Sequence, residues 1–422
     1  MKMIKTMICL LALSMTFHAC SYDDDGTGPD EGSTAAPTVY EFVDADGNST
    51  VSYSGQVVRC MLIKDIKTLA TTDGTTADDL NSMYTNDETN QARTILTTTD
   101  PTSVQTTYGD ISTKNLSGKI APADYGDVYG FDTDPHTLVT AWFDAAAIDQ
   151  YSSTGLDVPQ MIQKFLLGSV SFYQATTNYM TQIETDDNTT ASDPDAGKYY
   201  TDMEHHWDES FGYFGAAKDY GNYTDAEIKS STPYFDSNDD GSIDFLSEYC
   251  NGISINAAKR DVGAVDGSVD FTKTIFDAYL MGRHLISEGA DLIDILGQRA
   301  IIELEWEKLL AANAIHYIND TIGDIDNGTW DGTEDATCRT STCTDYMKHY
   351  SEMRAFAMGL QFNSRKTISD QVLHDVLDHM GIAPVFPGVG DVDAFKASLL
   401  EARDALRDVP EYNFTDEVVA GW

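Results

Sequence analysis

Two stretches of this 422-residue chain place residues at spacings that can do chemistry. The first runs Asp236-Ser237-Asn238-Asp239-Asp240-Gly241-Ser242-Ile243-Asp244. Asp236, Asn238, Asp240, Ser242 and Asp244 occupy the first, third, fifth, seventh and ninth places of an EF-hand-type loop. Ca²⁺ takes about six to eight hard oxygens at about 2.3–2.6 Å, and alternate residues of a tight loop supply them. Gly241 allows the sharp turn, Ser242 would lend its backbone carbonyl, and Ile243 would anchor the loop to the core. The twelfth place holds Ser247 instead of an acid, while Glu248 stands one place later and would close a slightly longer loop. The order predicts bound Ca²⁺ across 236–248, in a structural role, against the plainer reading of a polar turn. Extracellular sites of this kind work at ~10⁻⁴–10⁻³ M.

The second stretch is Glu204-His205-His206-Trp207-Asp208-Glu209. His205 and Glu209 are four apart and share a helix face, and His206 with Glu209 makes an H-x-x-E pair. A second such pair is His349 with Glu352, and Glu303 with Glu307 adds two carboxylates at helical spacing. Imidazoles and carboxylates on facing bundle helices hold metals such as iron, zinc or manganese. The alternative is that these groups satisfy one another inside a core built on Trp207, Phe211, Tyr213 and Phe214. No G-x-S-x-G, H-E-x-x-H, phosphate loop or dinucleotide-binding glycine motif is present, so no residue is assigned as catalytic.

These residues must be carried mainly by helices. Apolar positions recur at helical spacing from Ser54 to Leu69, from His136 to Ile148, and from Asp157 to Tyr179. Further helices are predicted over Lys198–Phe214, Phe271–Ser287, Asp291–Ile318, Asp345–Leu360, Ser369–Met380 and Asp391–Leu406. Residues 70–135 read as mostly irregular, with short helical pieces. Strand signal is confined to residues 39–53, where alternating residues flank a Gly47 turn and predict a β-hairpin. The fold class is therefore mainly α, a multi-helix bundle with a small N-terminal β-hairpin, in one domain over 39–422.

Charge narrows the partners. The chain has 26 Lys and Arg against 69 Asp and Glu, a net charge of −43. Such a surface repels phosphate backbones, which excludes nucleic acid as a partner. Residues 1–20 read as a lipoprotein signal peptide: Lys2 and Lys5, then a short apolar run over Ile8–Phe17, then Cys20 as the lipidated residue. Residues 21–38 read as a disordered acidic stalk, and Ser21-Tyr22-Asp23-Asp24-Asp25 resembles the surface-export signal of Bacteroidetes lipoproteins. In such an oxidising setting Cys338 and Cys343, in one short polar loop, are predicted to pair. Cys60 and Cys250 remain, and their spacing does not settle whether they pair.

Three segments carry a family resemblance: Ser52-Tyr53-Ser54-Gly55-Gln56, the long run Glu204–Gly215, and Ser351-Glu352-Met353-Arg354-Ala355-Phe356-Ala357. With the Gln160–Gly168 helix they resemble the family known as domain of unknown function 4856, bacterial envelope lipoproteins, over about residues 39–422. That resemblance implies no established activity. A fainter likeness, through His349 and Glu352, is to imelysin-like iron-regulated envelope proteins, although Met347 stands where their motif has Gly. The leading expectation is a non-enzymatic protein anchored by lipid to the outer membrane and exposed at the cell surface. It would carry structural Ca²⁺ and, through the bundle residues, iron or zinc for a surface uptake complex. The competing expectations are a metal-dependent hydrolase, either an imelysin-like peptidase or a glycan hydrolase, and a calcium-dependent glycan- or protein-binding module.

Overall fold

A computed structural model describes residues 35–422. The signal peptide, Cys20 and most of the 21–38 stalk lie outside the described residues. The rest is helical. In chain order the main helices are α1 (Ser54–Ala70), α2 (Ala77–Thr85), α3 (Pro135–Ala146) and α4 (Val158–Leu166). They are followed by α5 (Asp202–Phe214), α6 (Gly252–Arg260), α7 (Phe271–Ser287) and α8 (Leu292–Asn327). The last are α9 (Ser341–Gly359), α10 (Asp370–Met380) and α11 (Val392–Arg407).

The starts of these helices are written in local chemistry. Asp157 accepts the Gln160 N–H at the head of α4, Ser369 accepts from Val372 at α10, and Asp391 accepts from Ala394 at α11. Helix α5 begins at Asp202, four residues later than periodicity predicts. Thr201 and Glu204 form a reciprocal capping box there, and Asp193 pairs with Lys198 in a bridge just before it.

Helix α8 is the spine. Its 36 residues extend about 54 Å at 1.5 Å per residue. It buries Ile295, Ile302, Trp306, Leu309 and Ile315, with Ala311, Ala312 and Ala314 letting neighbours approach, and it packs chiefly between α7 and α9. Helix α9 also packs on α4, and α10 pairs with α11.

Helix α4 continues into a wider, π-type helix over Leu167–Tyr179. There its backbone meets α9 directly, because a Cβ placed on Gly168 would lie 2.5 Å from the Gly359 Cα. Only a residue without a side chain fits such a crossing.

The expected β-hairpin over 39–53 is not formed. Among the described residues no strand exceeds an isolated bridge, and here a single one, Val43 with Ser49, closes the turn at Gly47. The Thr50 N–H still donates to the Phe42 carbonyl across the turn, but further out the flanking residues are held by helices. Tyr40 stacks on Phe211 with centroids 3.7 Å apart, the Ser52 N–H donates to Asp208, and the Thr50 carbonyl accepts from Arg283. Backbone groups used this way are withdrawn from any strand ladder.

Cys338 and Cys343 form a disulfide with Cα atoms 5.9 Å apart, while Cys60 and Cys250 are both free and buried.

Glycine substitutions test the crossing. Gly168→Ala is expected to lose about 1–3 kcal/mol through overpacking. Gly297→Ala, within α8 and with open space around it, is expected to gain ~0.5–1 kcal/mol. Urea unfolding of the two variants measures both, and a Gly168→Ala protein as stable as wild type refutes the backbone contact.

Candidate functional site

The 236–248 loop forms a closed unit. Asp239 and Gly241 adopt left-handed backbone conformations, φ +57° and +82°, which turn the chain sharply. The Asp240 N–H donates to Asp236 Oδ1 at 3.0 Å and Asn238 Oδ1 at 2.9 Å, drawing those two oxygens together. Asp236 Oδ2 accepts the Gly241 N–H, and Ser242 donates to Asp240.

Glu248, only 2 % exposed, spans the loop. Its Oε1 accepts from the Ser237 N–H and hydroxyl at 2.9 Å, and its Oε2 accepts from the Asp244 N–H at 2.8 Å. The acid one place late thus ties Ser237 to Asp244 by hydrogen bonds. Asp244 is engaged by Gln105, Leu246 and Ser247.

The base is pinned by the Tyr234–Tyr249 bridge, and buried Ile243 bridges to Ser103, the anchoring expected of it. After Asp244 the chain makes a turn and no exiting helix.

The seven bundle residues expected to share a transition metal lie in separate contacts. His205 stacks on Tyr200 and sits 3.9 Å from Glu209, whose other oxygen accepts from Gln56. His206 pairs with Asp186 at 2.8 Å. Glu303 takes the Arg365 guanidinium, and Glu307 accepts the Thr367 and Ile368 N–H groups and the Tyr412 hydroxyl. His349 pairs with Asp324 at 2.8 Å. Among the described residues, no three His, Cys, Asp or Glu side chains come together as a metal-holding group. Calcium also draws on amide and backbone oxygens, which such a grouping leaves out.

The remainder of the Glu204–Gly215 run builds the interior. Glu204 and Asp208 clasp buried Arg283 at 2.8 Å and 3.0 Å. Trp207 donates its indole N–H to the Tyr279 carbonyl and lies flat over Gly282, where a Cβ would come within 2.0 Å of its ring. Gly215 caps the helix at φ +78°.

Glu352 has a setting that no local pattern announces. It is 3 % exposed, with Lys164 Nζ 3.3 Å from Oε1 and Lys348 Nζ 4.0 Å from Oε2. The charge of the same carboxylate also acts on Lys67 from α1 and on Lys259 and Arg260 from the end of α6. Burial alone would raise the Glu352 pKa, but Lys164, Lys348 and Lys67 outweigh it and hold the carboxyl below its usual value. Burial pushes the Lys67 ammonium down to about 8, and Lys164 adds to the effect. His316 is pushed down to about 4 by burial and by Arg260. Perturbed groups gathered in one place mark a functional site more often than chance.

What the fold and these contacts define is a helical-bundle protein with a tight acidic loop over 236–248 and a cationic cluster. The model of the family described as "Domain of unknown function (DUF4856)" matches residues 37–105 and 139–372, and the chain belongs to that family. No curated protein and no solved structure matches it.

Lys67 gives a pH test with a definite sign. Its folded pKa lies below the ordinary lysine value, so charging it opposes folding at neutral pH, and that penalty disappears as pH rises from 8 towards 10.5. Lys67→Met is expected to be more stable than wild type at pH 7 by about 1–2 kcal/mol, after allowance for partial solvent screening. The gap should close by pH 10 in paired urea melts. A constant gap across that range contradicts the assignment.

Proposed function

We propose that this protein is a non-enzymatic, lipid-anchored protein of the outer bacterial envelope, exposed at the cell surface, whose 236–248 loop takes a structural Ca²⁺. The observation that carries the calcium reading is Glu248. It stands outside the usual closing position, yet it folds back onto Ser237 and Asp244, while the Asp240 N–H draws the Asp236 and Asn238 oxygens together in the same loop.

A cation there would offset the repulsion of Asp236, Asp239, Asp240 and Asp244 and would brace the segment joining α5 to α6. The anchoring part of the reading rests on Lys2, Lys5, the apolar run and Cys20. No helix among the described residues is long and apolar enough to cross a membrane. Transition metals do not enter this reading, because His205, His206, Glu209, Glu303, Glu307, His349 and Glu352 each have other partners.

Thermal unfolding against Ca²⁺ concentration is the direct test. At free Ca²⁺ ten times the dissociation constant, stability should rise by about 1.4 kcal/mol. Asp236→Ala and Glu248→Gln should each abolish the rise, and magnesium should not reproduce it. An unfolding temperature indifferent to millimolar Ca²⁺ removes the loop assignment. Separately, a radiolabelled lipid precursor should mark the wild-type chain and not Cys20→Ser; absence of label on wild type removes the anchor.

A further inference from the structure

Nothing in the calcium reading accounts for the cationic cluster around Glu352. Lys67, Lys164, Lys259, Arg260 and Lys348 come from four helices, α1, α4, α6 and α9, and converge in a protein with only 26 basic residues against 69 acidic ones. Glu352 sits among them, and Lys164 and Lys348 already share it.

Lys67, Lys259 and Arg260 have no carboxylate in ion-pair contact among the described residues. The case is sharpest for Arg260. It is 5 % exposed, its Nε has no hydrogen-bond partner among the described residues, and its nearest aromatic is the Tyr317 ring, 6.0 Å from the guanidinium. A mostly buried guanidinium with an unpartnered Nε and no carboxylate in contact is costly to keep charged, so it calls for an anion.

The other acids nearby do not supply one. Asp320 is 3.2 Å from His316, and Asp157 caps α4 while accepting from Gln150. Counting Glu352, Asp157 and Asp320 against the five cations leaves an excess of about two positive charges.

Exposure is graded across the cluster. Lys259 is exposed and the Lys348 side chain is 43 % exposed, whereas Lys164 is 12 % exposed and Arg260 is buried. Such a gradient is what a recess with a wet rim at Lys259 and Lys348 and a dry floor at Arg260 would show. Near the floor the polar inventory continues with the Tyr317 hydroxyl and His316, whose buried Nδ1 has no partner among the described residues.

We propose that this recess binds a small ligand through its oxyanion groups, carrying about two negative charges as carboxylate, sulfate or phosphate. Arg260 and Lys164 hold the anion at the floor, and Lys67, Lys259 and Lys348 complete the shell. Guanidinium and ammonium groups both bind oxyanions by charge-assisted hydrogen bonds, which are stronger than those between neutral groups. A long polyanion is disfavoured, because the chain as a whole carries a net charge of −43 and would repel its remainder.

The test is calorimetric titration of the purified full chain at low ionic strength with sodium phosphate, sodium sulfate and disodium succinate, and with glucose as the uncharged control. Each titration is run with Ca²⁺ and again with chelator, which separates this site from the loop. At least one of the three anions should bind with one-to-one stoichiometry, the strongest identifies the ligand chemistry, and glucose should not bind. Arg260→Met should weaken that binding roughly 10- to 100-fold. If Arg260→Met does not fold, Lys259→Met at the exposed rim serves instead and should weaken it several-fold, while Lys114→Met, away from the cluster, should leave it unchanged. Absence of saturable binding by all three anions overturns the proposal, and so does binding that survives intact in both cluster variants.

Discussion

A fully buried arginine must find its counter-charges within reach, and Arg283 on α7 imposes that condition on this molecule. Asp208 and Glu204 on α5 supply the charges, and the Thr50 carbonyl and hydroxyl supply two further acceptors. Removing one side of such a group leaves a buried charge uncompensated, at a cost of about 3–5 kcal/mol. The network therefore fixes three things at once: the register of α5 against α7, the path of residues 40–52 across both, and the stack of Tyr40 on Phe211. Tyr40 joins it directly by donating its hydroxyl to Asp208 at 2.9 Å. The run of histidines and acids that looks most like a metal site in the sequence is thus the clamp that holds the N-terminal segment to the bundle.

The second constraint is geometric. The contact of Gly168 with Gly359 brings α4 and α9 closer than side chains allow, and both helices carry the chemistry a short way along. Lys164 lies one turn before Gly168, and Glu352 and Lys348 lie two and three turns before Gly359. Ridges and grooves set such crossings only loosely when side chains intervene. Backbone contact leaves less freedom, and it accounts for a lysine and a glutamate from different helices meeting at 3.3 Å without any sequence proximity.

What was legible in the sequence was what is local. The caps at Asp157, Ser369 and Asp391, the break near Gly289, and the Cys338–Cys343 pair all depend on residues within a few places of one another. So does the loop from Asp236, including its anchor at Ile243. The late start of α5 was also local, in the Thr201 and Glu204 capping pattern, but the apolar period runs past it. The hairpin was misread because alternation at Tyr40, Phe42, Val51 and Tyr53 looks the same whether two strands pair or apolar side chains enter a helical core. Asp208 and Arg283, more than 150 and 230 residues away from their partners at Ser52 and Thr50, decided between them. The Glu352 cluster was invisible for the same reason: Lys67, Lys164, Lys259 and Lys348 are scattered along the chain, and only helix packing assembles them.

The two sites make opposite demands on one electrostatic field. A net charge of −43 concentrates cations at the surface, which suits an exposed loop of carboxylates in calcium-containing surroundings. The same field opposes any anion. At physiological salt, however, exposed charges are screened beyond about 8 Å, whereas charges held in a recess are screened far less. An anion that reaches the rim at Lys259 and Lys348 therefore responds to five nearby cations more than to the distant acidic surface. Burying Arg260 and Lys164 behind that rim is how a strongly acidic protein keeps a local positive potential that its own surface does not cancel.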